Sequence, residues 1–117
     1  MIETATLDLF AGVPVADYPA ALPWYEQLLG YPPAFFPQDT EAVWELAEHR
    51  YLYIVQQPQH AGHAMHTLFV ADLDTLVVQI AARGHEPWKL ETYSNGVRKI
   101  TYRDPDGNEI GFGGAPA

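Results

Sequence analysis

Hydrophobic and polar positions along the chain form two similar runs. Leu7 to Val13 alternates in character and predicts a strand. Asp17 then offers a side-chain acceptor to the free N–H groups of a helix start. Tyr18, Leu22, Tyr25 and Leu29 follow at i, i+4, i+7 and i+11, one helical face, until Gly30 and Pro32-Pro33 end it. Pro23 lacks an amide hydrogen, so the regular helix is expected to begin near Leu22, with Asp17 to Ala21 as a looser turn. Two strand-like runs come next, Glu41–Leu46 and Tyr51–Val55, with Glu48-His49-Arg50 as a hairpin loop.

After a polar linker from Gln56 to Gly62, the pattern restarts. Thr67 to Val70 predicts a strand and Asp72 a cap; Leu73, Leu76, Val77 and Ile80 give a helical stripe, which Gly84 closes. Further strands are expected over Trp88–Thr92, Arg98–Arg103 and Glu109–Phe112, the last two joined by a Pro105-Asp106-Gly107-Asn108 turn. The two capping aspartates are 72 − 17 = 55 residues apart, close to half of the 117-residue chain. A repeat of this period predicts two similar half-domains with a ligand site where they meet. One strand, one helix and then hairpin-linked strands in each half is an α+β pattern.

Composition narrows the picture. A chain of this length is one ordinary domain, and 48% hydrophobic content supports a packed core. Without cysteine there is no disulfide, thiolate nucleophile or Cys-ligated zinc, and a cytoplasmic location is the expectation. The start, Met1-Ile2-Glu3-Thr4, has no secretory character, and no apolar run approaches the ~20 residues that span a bilayer. A formal net charge of −9 makes nucleic acid and anionic lipid poor partners and a cationic or neutral ligand easier to accommodate.

The segment Arg103-Asp104-Pro105-Asp106-Gly107-Asn108-Glu109-Ile110, together with the helix end Trp24-Tyr25-Glu26-Gln27-Leu28-Leu29-Gly30, resembles the vicinal oxygen chelate superfamily. That superfamily holds glyoxalase I, extradiol dioxygenases and the fosfomycin and bleomycin resistance proteins. The resemblance covers nearly the whole chain. It implies a single domain over residues 1–117, built from βαβββ modules 1–57 and 63–117 whose eight strands form an open, U-shaped mixed sheet around a cup. In metal-dependent members the ligands are His and Glu residues on inward strand positions. Carried over by distance from Asp17, Asp72 and Asn108, these positions fall on Phe10, Met65 and Gly111, with the remaining carboxylate on or near Tyr53. Divalent metals want imidazole nitrogen and carboxylate oxygen, so no metal and no cofactor is expected.

The candidate ligand-binding residues are therefore Phe10, Tyr53, Met65 and Gly111, joined by Trp44 and Arg98. Phe10 and Tyr53 would stack on a flat ligand and attract a positive one; Met65 would adapt to its shape. Arg98 or Lys99 would enter the cup and meet a ligand acid or carbonyl, unless both lie on an outer face. His60, His63 and His66 recur every three residues and are read as solvated linker histidines; a register shift by one residue would instead put His66 in the slot of Met65. Asp104 and Asp106 are read as turn-formers.

These readings converge on a metal-independent small-molecule binding protein resembling the bleomycin-resistance branch, a homodimer with an aromatic or cationic ligand. One alternative is a glyoxalase-like lyase or isomerase, or a dioxygenase-type enzyme, with a divergent or absent metal site, or acid–base chemistry at Tyr53 or Arg98. The other is a dimeric interaction module with a vestigial cup.

Overall fold

The structure, a computed structural model, describes residues 1–3 and 6–117. The first module runs β1 (Leu9–Val15), α1 (Tyr18–Leu29), β2 (Phe35–Gln38), β3 (Glu41–Ala47) and β4 (Arg50–Gln56). The second runs β5 (Met65–Phe69), α2 (Leu73–Ala82), β6 (Lys89–Thr92), β7 (Arg98–Arg103) and β8 (Glu109–Gly114). Both give a four-stranded mixed sheet of one plan, ordered β1-β4-β3-β2 and β5-β8-β7-β6. The first strand of each module lies parallel to the fourth, and the other pairs are antiparallel. The eight strands are thus divided between two sheets of an α+β fold.

The expected caps form. Asp17 accepts from the Ala20 N–H at 3.3 Å, and Asp72 accepts from the Thr75 N–H at 3.1 Å. Gly30, at φ 90°, closes α1 through a backbone bond to Glu26. The expectation for Pro23 is corrected: α1 is regular from Tyr18 and carries Pro23 inside it. Pro23 leaves one carbonyl without its helical donor, on an outward, exposed part of the helix, while Tyr18, Ala21, Tyr25 and Leu28 hold the other side in the core. β2 was not anticipated, since Phe35 to Gln38 is exposed throughout and shows no alternation.

One face of each sheet is covered by its helix. Val13, Val15, Trp44, Leu52 and Ile54 from the first module and Ile100, Tyr102, Ile110 and Phe112 from the second belong to one continuous buried cluster with the helix residues Tyr25, Leu28, Leu73 and Ile80. Arg83, just past α2, donates to the carbonyls of Gln27 and Leu28 at the end of α1.

The strongest link between the modules is the loop between β7 and β8. Buried Asp104 accepts at Oδ2 from the Tyr25 hydroxyl and Asn108 Nδ2, both at 2.8 Å, and at Oδ1 from the N–H groups of Asp106 and Asn108. Asn108 Nδ2 also donates to the Pro14 carbonyl, and its Oδ1 accepts from the N–H groups of Gly62 and Ala64. Asp106 Oδ2 accepts from the Ala16 N–H at 3.0 Å. Burial and the nearby Asp104 carboxylate drive the Tyr25 hydroxyl far above its ordinary range, so it is a permanent donor.

Candidate functional site

Strand alternation sends every second side chain to the helix-free face of each sheet. In the first module this face is aromatic. Phe10 stands opposite Tyr51 and Gly12 opposite Tyr53. The Phe10 and Tyr51 rings stack with centroids 4.4 Å apart and planes 8° from parallel. Phe35 meets Tyr51 edge-on at 6.5 Å. The Tyr53 hydroxyl lies 2.6 Å from where a Cβ on residue 12 would be, so only glycine there lets this ring lie flat on β1. Tyr53 lines a cavity of about 290 Å³ with Pro14, Gln38, Glu41 and Gln57. Partial desolvation, and then the neighbouring Glu45 carboxylate, raise the Tyr51 phenol and keep it neutral.

In the second module the same face is polar and glycine-floored. Thr67, Gly111 and Thr101 lie in register across β5, β8 and β7. The Lys99 Cε lies 2.7 Å from the Cβ position of residue 111, with Thr67 Oγ1 at 3.4 Å and Thr101 Oγ1 at 3.6 Å. Met65 is 71% exposed. Beside it, Arg103 pairs with Glu109 at 3.3 Å and lies 3.8 Å over the Trp88 ring, a cation–π contact.

The candidate residues divide accordingly. Phe10, Tyr53, Met65 and Gly111 are on the helix-free faces, two in each sheet. Trp44 is not: it is 0% exposed in the core, and its indole N–H donates to the Tyr31 carbonyl. Arg98 is turned to the helix side, where it meets Asp74 of α2 at 2.6 Å. The cation on the site face is Lys99. Apolar Ile100 and Tyr102 could have revealed this, since they commit the even positions of β7 to the core and Lys99, Thr101 and Arg103 to the other face. His66 shares the helix-side parity of Leu68, and its Nε2 donates to the Gly12 carbonyl at 2.8 Å, joining β5 to β1. It therefore does not occupy the slot of Met65.

The four positions carried over from metal-dependent proteins offer a phenyl ring, a phenol, a thioether and no side chain. Among the described residues no three His, Cys, Asp or Glu side chains gather. This donor set does not fit a divalent ion. What the faces offer instead is stacking area on one sheet and, on the other, an ammonium beside the Thr67 hydroxyl, with Thr101 buried beneath them at 3% exposure.

The model of the Glyoxalase/Bleomycin resistance protein/Dioxygenase superfamily matches residues 6–112, and the chain belongs to this family. Among solved structures it is similar to a glyoxalase / bleomycin resistance protein from Catenulispora acidiphila, at 60% identity over 95% of this chain and 100% of that one, with a TM-score of 0.92. It shares the fold of a bleomycin-binding protein solved with bleomycin, at 19% identity over 97% and 99% of the two chains and TM-score 0.71. It shares it equally with lactoylglutathione lyase from Agrobacterium tumefaciens, at 15% identity over 96% and 95%, TM-score 0.77. No protein of curated function matches the chain.

Proposed function

We propose that the protein binds an organic small molecule without a metal, on the helix-free faces of its sheets, as a homodimer. The observation that carries this reading is the chemistry at the four carried-over positions: Phe10, Tyr53, Met65 and Gly111 stand where a chelate would need imidazoles and carboxylates. A stacked Phe10–Tyr51 pair beside Tyr53 favours a flat or partly cationic body.

The dimer rests on exposed apolar surface. Phe10, Phe35, Met65 and Phe69 all lie open, Phe69 at 67%. The chain exposes 7029 Å², against about 6,400 Å² for a compact monomer of its mass. The excess of roughly 600 Å² approaches what one partner buries in a standard interface. A symmetric pair that covers these faces would bring an aromatic and a polar face together around one ligand. Sedimentation giving only a 13.1 kDa species at tens of micromolar would count against it.

The binding test is a thermal-shift screen of aromatic and cationic compounds, followed by calorimetry. Phe10→Ala and Tyr53→Ala should each weaken the ligand found several-fold, as truncation of buried anchors does, while exposed Gln59→Ala should not. Indifference to both aromatic changes would place the site elsewhere. Consumption of the ligand during titration would favour the enzyme reading.

A further inference from the structure

The two turns at the module junction are unequal, and the smaller one leaves a space. Between β7 and β8 the five-residue loop Asp104–Asn108 reaches Pro14 and Ala16. Between β3 and β4 the turn has two residues, Glu48 and His49. His49 pairs with Asp8 and Glu48, both in its own module. The 55-residue offset carries Pro14 and Ala16 to Phe69 and Ala71. There, where the longer loop would have a twin, lies a cavity of about 390 Å³, bounded by Phe69 and Val70 and by the flanks of the short turn, Leu46, Ala47 and Arg50. The rest of its wall is mainly apolar, with Leu9, Ala11, Leu52 and Leu68, but Tyr51, His66 and Thr67 border it as well, and its size is in the range of small-ligand sites. Phe10, Tyr53, Met65 and Gly111 are not part of it.

Its charge is unlike that of the chain. Of six basic side chains, Arg83 is bound to the end of α1, Lys89 to Glu91, Arg98 to Asp74 and Arg103 to Glu109. Lys99 lies over Gly111. Arg50 alone borders this cavity, and its guanidinium has no ion-pair or hydrogen-bond partner among the described residues, in a chain with 15 carboxylates to choose from. The modules differ at the twin position too: Asp106 satisfies the Ala16 N–H, whereas the Ala71 N–H, just outside the cavity wall, has no partner among the described residues.

We propose that this junction cavity, which borders the helix-free faces at Tyr51 and Thr67 but does not include Phe10, Tyr53, Met65 or Gly111, is a second binding site, for a small amphipathic carboxylate. Its apolar body fills the space between Leu9, Leu46, Leu52 and Leu68, and its carboxylate meets the Arg50 guanidinium in a two-pronged hydrogen bond. The ligand substitutes for the loop that the first module lacks, carboxylate included.

The test is an amide NMR titration with sodium octanoate below its micelle threshold, with octan-1-ol and octyltrimethylammonium as controls. Octanoate should move the resonances of Leu9, Leu46, Leu68 and Val70 saturably and leave those of Lys99 and Gly111, on the second module's helix-free face, in place. Octan-1-ol should bind about tenfold more weakly, and Arg50→Gln should weaken octanoate about tenfold with an unchanged melting temperature, since the side chain is exposed. Leu68→Trp, which fills the cavity, should abolish the shifts. The proposal is overturned if the alcohol or the ammonium binds as well as octanoate, if Arg50→Gln binds normally, if the shifts fall on Lys99 and Gly111 instead, or if no saturable shift appears.

Discussion

The two modules share one plan of strand, helix and three strands, yet divide the labour. The first spends its helix-free face on aromatic rings and turns tightly between β3 and β4. The second floors the same face with Gly111 and Gly113, lines it with Lys99 and Thr101, and uses the loop between β7 and β8 to hold the first module through Tyr25, Pro14 and Ala16. A repeat conserves backbone order, because cap, stripe and stop are local. It does not conserve what each copy does, because that depends on single side chains at loops and on one strand face.

The comparison breaks most visibly at tryptophan. Trp44 in β3 is fully buried and Trp88 before β6 is about half exposed. Trp44→Ala should destabilise by about 3–5 kcal/mol in urea, and Trp88→Ala by less than about 1 kcal/mol. Similar losses would mean that Trp88 is covered in solution, as a dimer interface there would require. The turns come next. Asp104→Ala strands a hydroxyl, an amide and two backbone donors, so a loss of about 3 kcal/mol is expected, against a change within about 0.5 kcal/mol for Glu48→Ala. Equal effects would remove the asymmetry on which the junction cavity depends. Arg83→Met, which frees two carbonyls at the end of α1, should cost about 1 kcal/mol by the same denaturation.

The smallest effect concerns the Asp72 cap and pH. The Thr75 hydroxyl and N–H hold the Asp72 carboxyl below its ordinary 3.8. Its folded-state affinity for a proton is therefore the weaker one. Its contribution is complete above the unfolded value and disappears as pH falls through the folded one. Asp72→Asn should flatten the acid limb of the stability profile below pH ~4 and leave the profile near neutrality parallel to that of the native chain. An unchanged acid limb would show that the cap is not titrating.

Much of this was legible in the residues. The offset between Asp17 and Asp72 and the segment Arg103–Ile110 fixed module order and family, because such signals need only a few neighbouring residues. Phe10, Tyr53, Met65 and Gly111 came from the family resemblance, by distance from Asp17, Asp72 and Asn108, and they lie on the helix-free faces. Trp44 was misjudged because an aromatic at a strand centre reads the same whether it faces a helix or a ligand; its neighbours Ala42 and Leu46 carried the parity that decides it. Arg98 failed for the same reason, and its partner Asp74 is distant in sequence. The link from His66 to Gly12, and the cavity beside Arg50, follow from how two sheets meet and leave no local mark.

The close approach of Lys99 to Gly111 bears on what this face could be made to do as well as on binding. A variant given His at positions 10 and 65 and Glu at 111 would not thereby gain a metal centre. The new carboxylate would push aside the Lys99 stem and then take its ammonium as a counter-ion, a competitor already in place when any metal arrived. Lys99 would have to change first, and that change alone would remove the cation from the second module's open face. The order of substitutions thus matters: each step toward a chelate is disfavoured by what the present residues already do.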